Sequence, residues 1–529
     1  MPNDCISYQN SGYFTALIVD YLNQKEDLKN LYGHFPTLDN FEKQIQEKQV
    51  NFKNENRKTL VDVLKKQYLN TKSSVETSNN IEILSQKNTF TITTGHQLNL
   101  FSGPLYFLYK IVSTINLTNE LKTKYPDFNF VPIYWMATED HDFEEINYFN
   151  FNEKKIRWNA ESTGPVGRLA TDGLKEVFEV FSNELRDGDG ANELRELFKD
   201  AYINNSNLAE ATRFLANSLF GNYGLVILDA DDSNLKCNFS PFIKNELENQ
   251  SSFNNVTESI KSLKNYPIQV NPREINLFYM EDNFRERIVK IGDLYVVNNT
   301  KISFTKTEIL EELKRFPKKF SPNVILRPLY QEVILPNLCY IGGGGEIAYW
   351  LEFKSNFDGL KVTFPILLLR NSVMLITEKQ SKKADKLDLS VSDLFLKQSE
   401  LINKKVKEFS EIEMDFSAQK NFLAQQFENL EAVVSATDSS FLGAVIAQRL
   451  KQTKGLDNLE KRLLKAQKLK YQDQIERIVA LQNQLFPNQS LQERQANFSQ
   501  FYEGTGNLLI EKLISDLHPL EPNFSIITV

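Results

Sequence analysis

The sequence predicts an α/β protein with a mostly parallel sheet, interrupted by two insertions and followed by an antiparallel α-helical coiled coil. Three observations predict it. Two strand-like segments flank a helical stretch at the spacing of a βαβ unit, which requires parallel strands. Two later stretches, near 150–169 and 265–305, change to short charged strands and polar turns. The last third keeps helical and then heptad spacing over two long segments.

The elements follow in order. Residues 11–70 read as helices, with Leu17 and Leu22, then Leu60, Val63, Leu64 and Tyr68, near helical spacing. Asn88 to Thr94 alternates and is β-branched, so it reads as a strand ending in Gly95-His96-Gln97. Pro104 suits the first turn of a buried helix over Tyr106 to Leu121. Phe130 to Met136 is a second strand, ending in Glu139-Asp140-His141-Asp142. Phe149 to Trp158 and Gly164 to Leu169 read as short strands of a first insertion. Gly224 to Asp229 returns to the parallel style and ends in Asp229, Asp231 and Asp232. Ile275 to Met280, Arg285 to Val289 and Leu294 to Val297 read as an antiparallel meander, the second insertion. The core resumes near Val324, with Gly342 to Gly345 before a helix and Phe364 to Leu369 as a strand.

In the last third, Ser392 and Asp393 suit the cap of a helix beginning at Leu394. Thr437 to Ser440 reads as a polar break before a second helix running towards Phe486. Leu464, Tyr471, Ile478 and Leu485 recur every seven residues there. Gly455 is a candidate bend and Pro487 a stop. The expected division is core over 1–150, 206–264 and 323–380, insertions over 151–205 and 265–322, and coil with tail over 381–529.

Composition narrows the function. The chain has 529 residues, 41% hydrophobic and 25% charged, which excludes a disordered or collagen-like polypeptide. No apolar run nears the ~20 residues of a membrane helix, and the N-terminus lacks a signal-peptide pattern. A cytoplasmic protein without a membrane partner is expected. A net charge of -8 speaks against nucleic acid as a partner, because coating it requires a basic excess. Cys5, Cys237 and Cys339 are too scattered for a zinc knuckle or redox pair, so no metal site is predicted and no zinc is expected.

Ligands of open parallel sheets bind beyond the carboxyl ends of the strands. His96 and His141, two of only four histidines, fall at such ends. Histidine suits proton transfer near neutrality, and Gly95 allows close backbone approach to a ligand. Asp140 and Asp142 can orient His141 or hold Mg²⁺ with phosphates, or simply cap a helix near Phe143. Asp229, Asp231 and Asp232 read equally well as a surface turn. Gly342-Gly343-Gly344-Gly345 before a helix can offer N–H groups to an anion, although Glu346 would repel one placed close by and suits an ammonium. It equally reads as a flexible turn. Lys461, Arg462, Lys465, Lys468 and Lys470 read first as a solvated coil face.

The string Thr94-Gly-His-Gln-Leu-Asn-Leu-Phe-Ser-Gly-Pro-Leu-Tyr106 resembles the signature of the bacillithiol-biosynthesis cysteine-adding enzymes, the cysteine ligases. So do Pro132 to Asn147, Leu326 to Gln331, Ile341 to Trp350, Leu369-Arg-Asn371, and Ser490 to Arg494. The matches run in order along nearly the whole chain. Gly344 stands where the family often has proline. The resemblance implies a Rossmann-like core related to class I aminoacyl-tRNA synthetases, two connecting insertions, and a coil used in homodimerisation. It implies amide formation between the cysteine carboxylate and the amine of glucosaminyl malate, with ATP and Mg²⁺ as the expected activating cofactors. The two-histidine signature of the synthetases is incomplete, since Thr93 precedes Thr94-Gly-His96. On this reading His96 stabilises phosphoryl or acyl charge, and His141 is the base, oriented by Asp140 and Asp142. Gln97, Asn99 and the loop Gly342, Gly343, Gly344 and Gly345 bind substrate. Glu346 holds an ammonium, and Arg327 and Arg370 hold malate carboxylates. The alternatives are a nucleotide-binding dimeric scaffold that assists another ligase, and a tRNA-binding synthetase relative.

Overall fold

A computed structural model describes residues 4–434 and 439–529. Five parallel strands form the central sheet: β1 (Thr89–His96), β2 (Asn129–Met136), β3 (Val226–Asp229), β4 (Asn337–Gly342) and β5 (Ile366–Leu369). Their spatial order is β3-β2-β1-β4-β5. The chain therefore winds outward from β1 in one direction, returns, and winds outward in the other. The order reverses between β1 and β4, where a Rossmann-like sheet opens its binding crevice.

Burial explains the strands. All eight residues of β1 and all six of β4 are buried, as parallel strands covered on both faces require. Phe90, Ile92, Phe130, Leu338, Ile341 and Ile366 share one core cluster. The strand ends are level: His96 opposes Met136, Met136 opposes Asp229, and Gly342 opposes Leu369. β1 runs two residues beyond the predicted Thr94, because Gly95 and His96 still pair with Trp135 and Met136. The crossover helix α1 (Tyr106–Lys124) is buried on nearly every face.

The first insertion is a hairpin, Tyr148–Phe151 with Lys154–Arg157, followed by helices Leu174–Glu184 and Asp189–Tyr202. The predicted strand over Gly164 to Leu169 is instead a 3₁₀ turn at Val166–Arg168. Gly167 lies so close to Thr138 that a Cβ there would sit 2.5 Å from the Thr138 Cβ, which requires glycine in this turn. The second insertion is the expected meander, Leu277–Glu281, Phe284–Ile291 and Leu294–Val297, extended by Ser303–Phe304 and Phe320–Pro322.

The chain divides into two compact units. One holds residues 4–375 and 490–527, so the C-terminal tail belongs with the sheet and not with the coil. The other is essentially Ile376–Gln489. Within it, helices Ser417–Val434 and Ser439–Lys470 run antiparallel. Lys420 pairs with Asp457 and Glu460, while Glu431 pairs with Arg449, as an antiparallel register requires. Phe427, Val434 and Val445 bury their contact. Three expectations change here. The early helix is Val391–Leu394, capped by Ser390 with Asp393 in its capping box. The second long helix is two, Ser439–Lys470 and Gln472–Leu485, broken at Tyr471 and continuous through Gly455. Tyr471 leaves helical geometry where its ring meets Phe409 at 5.9 Å. Thr437 and Asp438 of the polar break lie outside the described residues.

Candidate active site

The level strand ends open into a cleft of about 1780 Å³, walled by β1, β2, the loop before α2 (Gly344–Leu351), and the meander. Every candidate substrate or catalytic residue named from the sequence lines it except Gly342. Gly342 is a packing residue. A Cβ there would lie 2.9 Å from both the Glu346 Cβ and the Tyr340 ring.

At the switch point, Lys110 of α1 reaches across the sheet end. Its Nζ donates to the Gly95 carbonyl at 2.7 Å and pairs with Glu346 Oε2 at 2.5 Å. Glu346 also accepts from the Tyr340 hydroxyl at 2.6 Å and the Gly343 N–H at 2.8 Å. Burial raises the Glu346 pKa, but Lys110, Tyr340 and Gly343 outweigh it and leave the carboxyl below its ordinary value. Glu346 is thus already matched by a lysine of this chain, which corrects its predicted availability to a substrate ammonium.

His96 is buried against Tyr106 and Phe107, with ring centroids 5.3 and 5.2 Å away. Burial, then the Lys110 charge, hold its pKa well below the usual imidazole value. Its Nε2 has no hydrogen-bond partner. A neutral ring does not stabilise an anion by charge, which argues against the role first expected of it.

Two arginines face the crevice differently. Arg327 donates from Nη1 to Gln331 at 3.1 Å and lies over the rings of Trp135 and Tyr340, while its Nη2 is buried and unpartnered. Arg370 is spent. Its two terminal nitrogens make a bidentate pair with Glu493 at 2.9 and 2.8 Å, leaving only Nε without a partner. The predicted grip of Arg370 on a malate carboxylate would have to break that pair. Glu493 comes from the tail, and its neighbour Arg494 is exposed on the cleft wall. Arg494 and Lys110 are cleft cations that the sequence reading did not single out. The signal for Arg494 was its place in the Ser490 to Arg494 motif. Lys110 gave none, since it reads as one polar residue in a buried helix.

At the end of β2, Arg285 Nη1 lies 2.9 Å from His141 Nδ1. A guanidinium only donates, so Nδ1 accepts and the neutral ring carries its proton on Nε2. Neither nitrogen is then free to take a proton, which corrects the assignment of His141 as base. Asp140 accepts from the His141 backbone N–H at 2.8 Å and from Gln97 at 3.0 Å. Gln97 also donates to Glu145, and Asn99 donates to the Glu145 carbonyl at 3.3 Å with its own Oδ1 unpartnered. Asp142 is exposed and makes no side-chain cap bond to the short helix Phe143–Ile146.

The acidic cluster after β3 is structural. Asp232 caps helix Ser233–Asn249 through the N–H groups of Asn234 and Leu235. Asp231 pairs bidentately with Arg168 at 2.8 and 3.0 Å, and Asp229 accepts from Thr138 at 2.5 Å. None of the three lines the cleft. The coil lysines at 461, 465 and 470 and Arg462 are exposed, as a solvated face requires.

A parallel sheet in this order, with buried unpartnered groups gathered at its switch point, defines a Rossmann-like enzyme fold carrying two insertions. The chain belongs to the BshC family of bacillithiol biosynthesis. Residues 1–371 match that family's N-terminal Rossmann-like domain and residues 373–529 its C-terminal coiled-coil domain. It is 65% identical to the protein named "Putative cysteine ligase BshC" of Flavobacterium johnsoniae over 529 residues, covering 100% of both chains. It is 57% identical to the protein of that name from Christiangramia forsetii, covering 100% of this chain and 99% of that one. A solved structure titled as an arginyl-tRNA synthetase from Campylobacter jejuni overlaps 84% of this chain at 11% identity, with a TM-score of 0.20, and bears on nothing here. Among the described residues no helix is long and apolar enough to cross a membrane.

Proposed function

We propose that this protein is an amide-forming ligase that joins the cysteine carboxyl group to the amine of glucosaminyl malate, in the crevice between β1 and β4. One observation carries the reading. His96 Nε2, Arg327 Nη2 and Arg370 Nε, all in cleft-lining residues, are buried without partners. Such atoms cost about 1–3 kcal/mol each when unsatisfied, and a ligand that satisfies them recovers that cost. The names of the relatives supply cysteine as the substrate.

In the reaction the amine nitrogen bonds to the carboxyl carbon, one carboxyl oxygen leaves with its activating group, and the amine loses a proton. ATP is the expected source of activation. Arg327 Nη2, Arg370 Nε and the first N–H groups of α2 suit phosphate oxygens. No cluster of three or more metal-ligating side chains occurs among the described residues. Mg²⁺ would be held by one or two carboxylates together with phosphates, and the exposed Asp142 is the freest candidate. Arg494, on the cleft wall, suits a malate carboxylate. A cytoplasmic homodimer joined through the coil completes the reading. Phe422, Val433, Leu450 and Leu459 are exposed apolar residues of that unit, consistent with a covered face.

The test is to incubate purified protein with glucosaminyl malate, cysteine and MgATP and to follow product and nucleotide by mass spectrometry. Thiol product with AMP or ADP release supports a self-sufficient ligase. Nucleotide binding without product, even with an activated cysteine donor, would favour the scaffold.

A further inference from the structure

A chain of buried polar side chains leads from helix Asn40–Asn51 to the cleft wall. Lys48 of that helix donates to Glu332 Oε2 at 2.8 Å. Glu332 Oε1 accepts from Gln331 Nε2 at 3.0 Å and from Asn337 of β4 at 2.6 Å. Asn337 in turn accepts from Thr93 of β1 at 2.8 Å, which ties the chain to the two strands that flank the switch point. Gln331 Oε1 then accepts from Arg327 Nη1 at 3.1 Å. Arg327 and Gln331 lie four residues apart on helix Leu326–Ile334 and so share one face. Lys48, Glu332, Gln331 and Asn337 are all buried, and Arg327 is the member that reaches the cleft.

Polarity fixes the direction of each bond. An ammonium and a guanidinium only donate, and a carboxylate only accepts. The Gln331 amide must therefore turn its NH₂ to Glu332 and its oxygen to Arg327. A flipped amide would set oxygen against carboxylate and NH₂ against guanidinium. Charge is balanced at one end only. Lys48 cancels Glu332, Lys110 matches Glu346 and Arg370 matches Glu493. Arg327 has no carboxylate partner among the described residues, and its guanidinium lies over the rings of Trp135 and Tyr340, each 5.6 Å away. Its Nη2 ends the chain as a donor without an acceptor.

We propose that Gln331 is a positioning residue which, oriented by Glu332 and Lys48, holds the Arg327 guanidinium ready for a substrate oxyanion, a carboxylate or a phosphate. This role rests on the crevice between β1 and β4 being the ligand site, and it names the chemistry that docks there. A substrate ammonium would meet a donor and a like charge at Arg327, whereas an oxyanion supplies both the missing acceptor and the missing charge. Arg327 touches the ligand, and Gln331 acts through Arg327. A guanidinium already held in place loses less side-chain freedom when the anion arrives, so the contribution of Gln331 appears as affinity.

The test is calorimetric titration of the full-length protein with two probes, glucosaminyl malate for carboxylates and MgATP for phosphates. Gln331→Met keeps the length of the side chain and removes the acceptor. It should weaken the probe that docks at Arg327 about 10-fold and leave the other unchanged. The probe that weakens identifies the source of the oxyanion. Arg327→Met should weaken the same probe at least as much. In Arg327→Met/Gln331→Met the second change should cost no further affinity, because no guanidinium remains to be held. A residue that only supported the fold would add its cost in either background. Gln331→Asn, an amide one methylene short of Arg327, should behave as Gln331→Met does and leaves the chain polar should the methionine unfold it. Far-ultraviolet dichroism reports that each variant folds. Additive losses in the double variant, an affinity that folded Gln331→Met or Gln331→Asn leaves unchanged, or a wild type that binds neither probe would each overturn the role. Turnover is not required, so a protein that binds a probe but forms no amide fails as a ligase and still tests Gln331.

Discussion

Cutting the Arg370–Glu493 pair should loosen the tail from the sheet and destabilise the core unit strongly. The side chains are 5% and 1% exposed, so this is a fully buried ion pair. Glu493 also accepts from the Val373 N–H at 3.1 Å and the Ser372 hydroxyl at 3.3 Å. Glu493→Ala strands a buried guanidinium, and breaking such a pair from one side costs about 3–5 kcal/mol. Arg370→Met strands the carboxylate at a similar cost. Arg370→Met/Glu493→Leu removes both charges and leaves chiefly the Val373 N–H unpaired, at about 1–3 kcal/mol. The double variant should therefore be at least ~2 kcal/mol more stable than the sum of the singles predicts. Urea unfolding followed by tryptophan fluorescence measures this, because Trp135, Trp158 and Trp350 all lie in the core unit. A loss below ~1 kcal/mol for Glu493→Ala, or strictly additive costs, would refute the assignment of the Arg370–Glu493 pair as a structural contact.

Other outcomes follow from the same contacts. Glu352 is buried and accepts the N–H groups of Gln269 and Val270 on the cleft wall, and burial pushes its carboxyl up from 4.5 to about 7. The folded state then holds the proton more tightly than the unfolded chain, so this group's stabilisation is complete below about 4.5 and is lost as pH rises through about 7. Relative to Glu352→Gln, the wild type should lose urea resistance between pH 4.5 and 7, and parallel profiles would contradict this. A Cβ on Gly345 meets nothing within 4 Å, so Gly345→Ala should fold normally yet raise KM for whatever the loop binds. Gly342→Ala should lower stability instead, measured by melting. Ser390→Ala removes a helix cap in the coil unit and should cost that unit about 1 kcal/mol, read from urea-induced loss of far-ultraviolet dichroism.

Much of the fold is legible in the sequence where pattern reports burial. β1 and β2 are β-branched and apolar, α1 follows at crossover spacing, and the meander turns are explicit. Residues whose partners are remote are not legible. Arg370 reads as a free cation because its partner Glu493 lies 123 residues away, in a tail without periodicity. His141 reads as a base because Arg285, from the second insertion, is 144 residues distant. The break at Tyr471 hides inside an intact heptad, since spacing does not register the packing of its ring on Phe409. The site follows the same division. The strand-end motifs locate the crevice, whereas the pairing inside it, Lys110 with Glu346 and Arg285 with His141, is marked by no motif.

The most direct measurement is the single-turnover rate of thiol product formation in a series of histidine substitutions. The account predicts that His96→Gln, at the switch point, loses about 10-fold or more, the worth of the hydrogen bond its Nε2 offers a ligand. His34→Gln, outside the cleft and paired with Glu47, should turn over as the wild type does. Product formed at the wild-type rate by folded His96→Gln would contradict the placement of the reaction between β1 and β4.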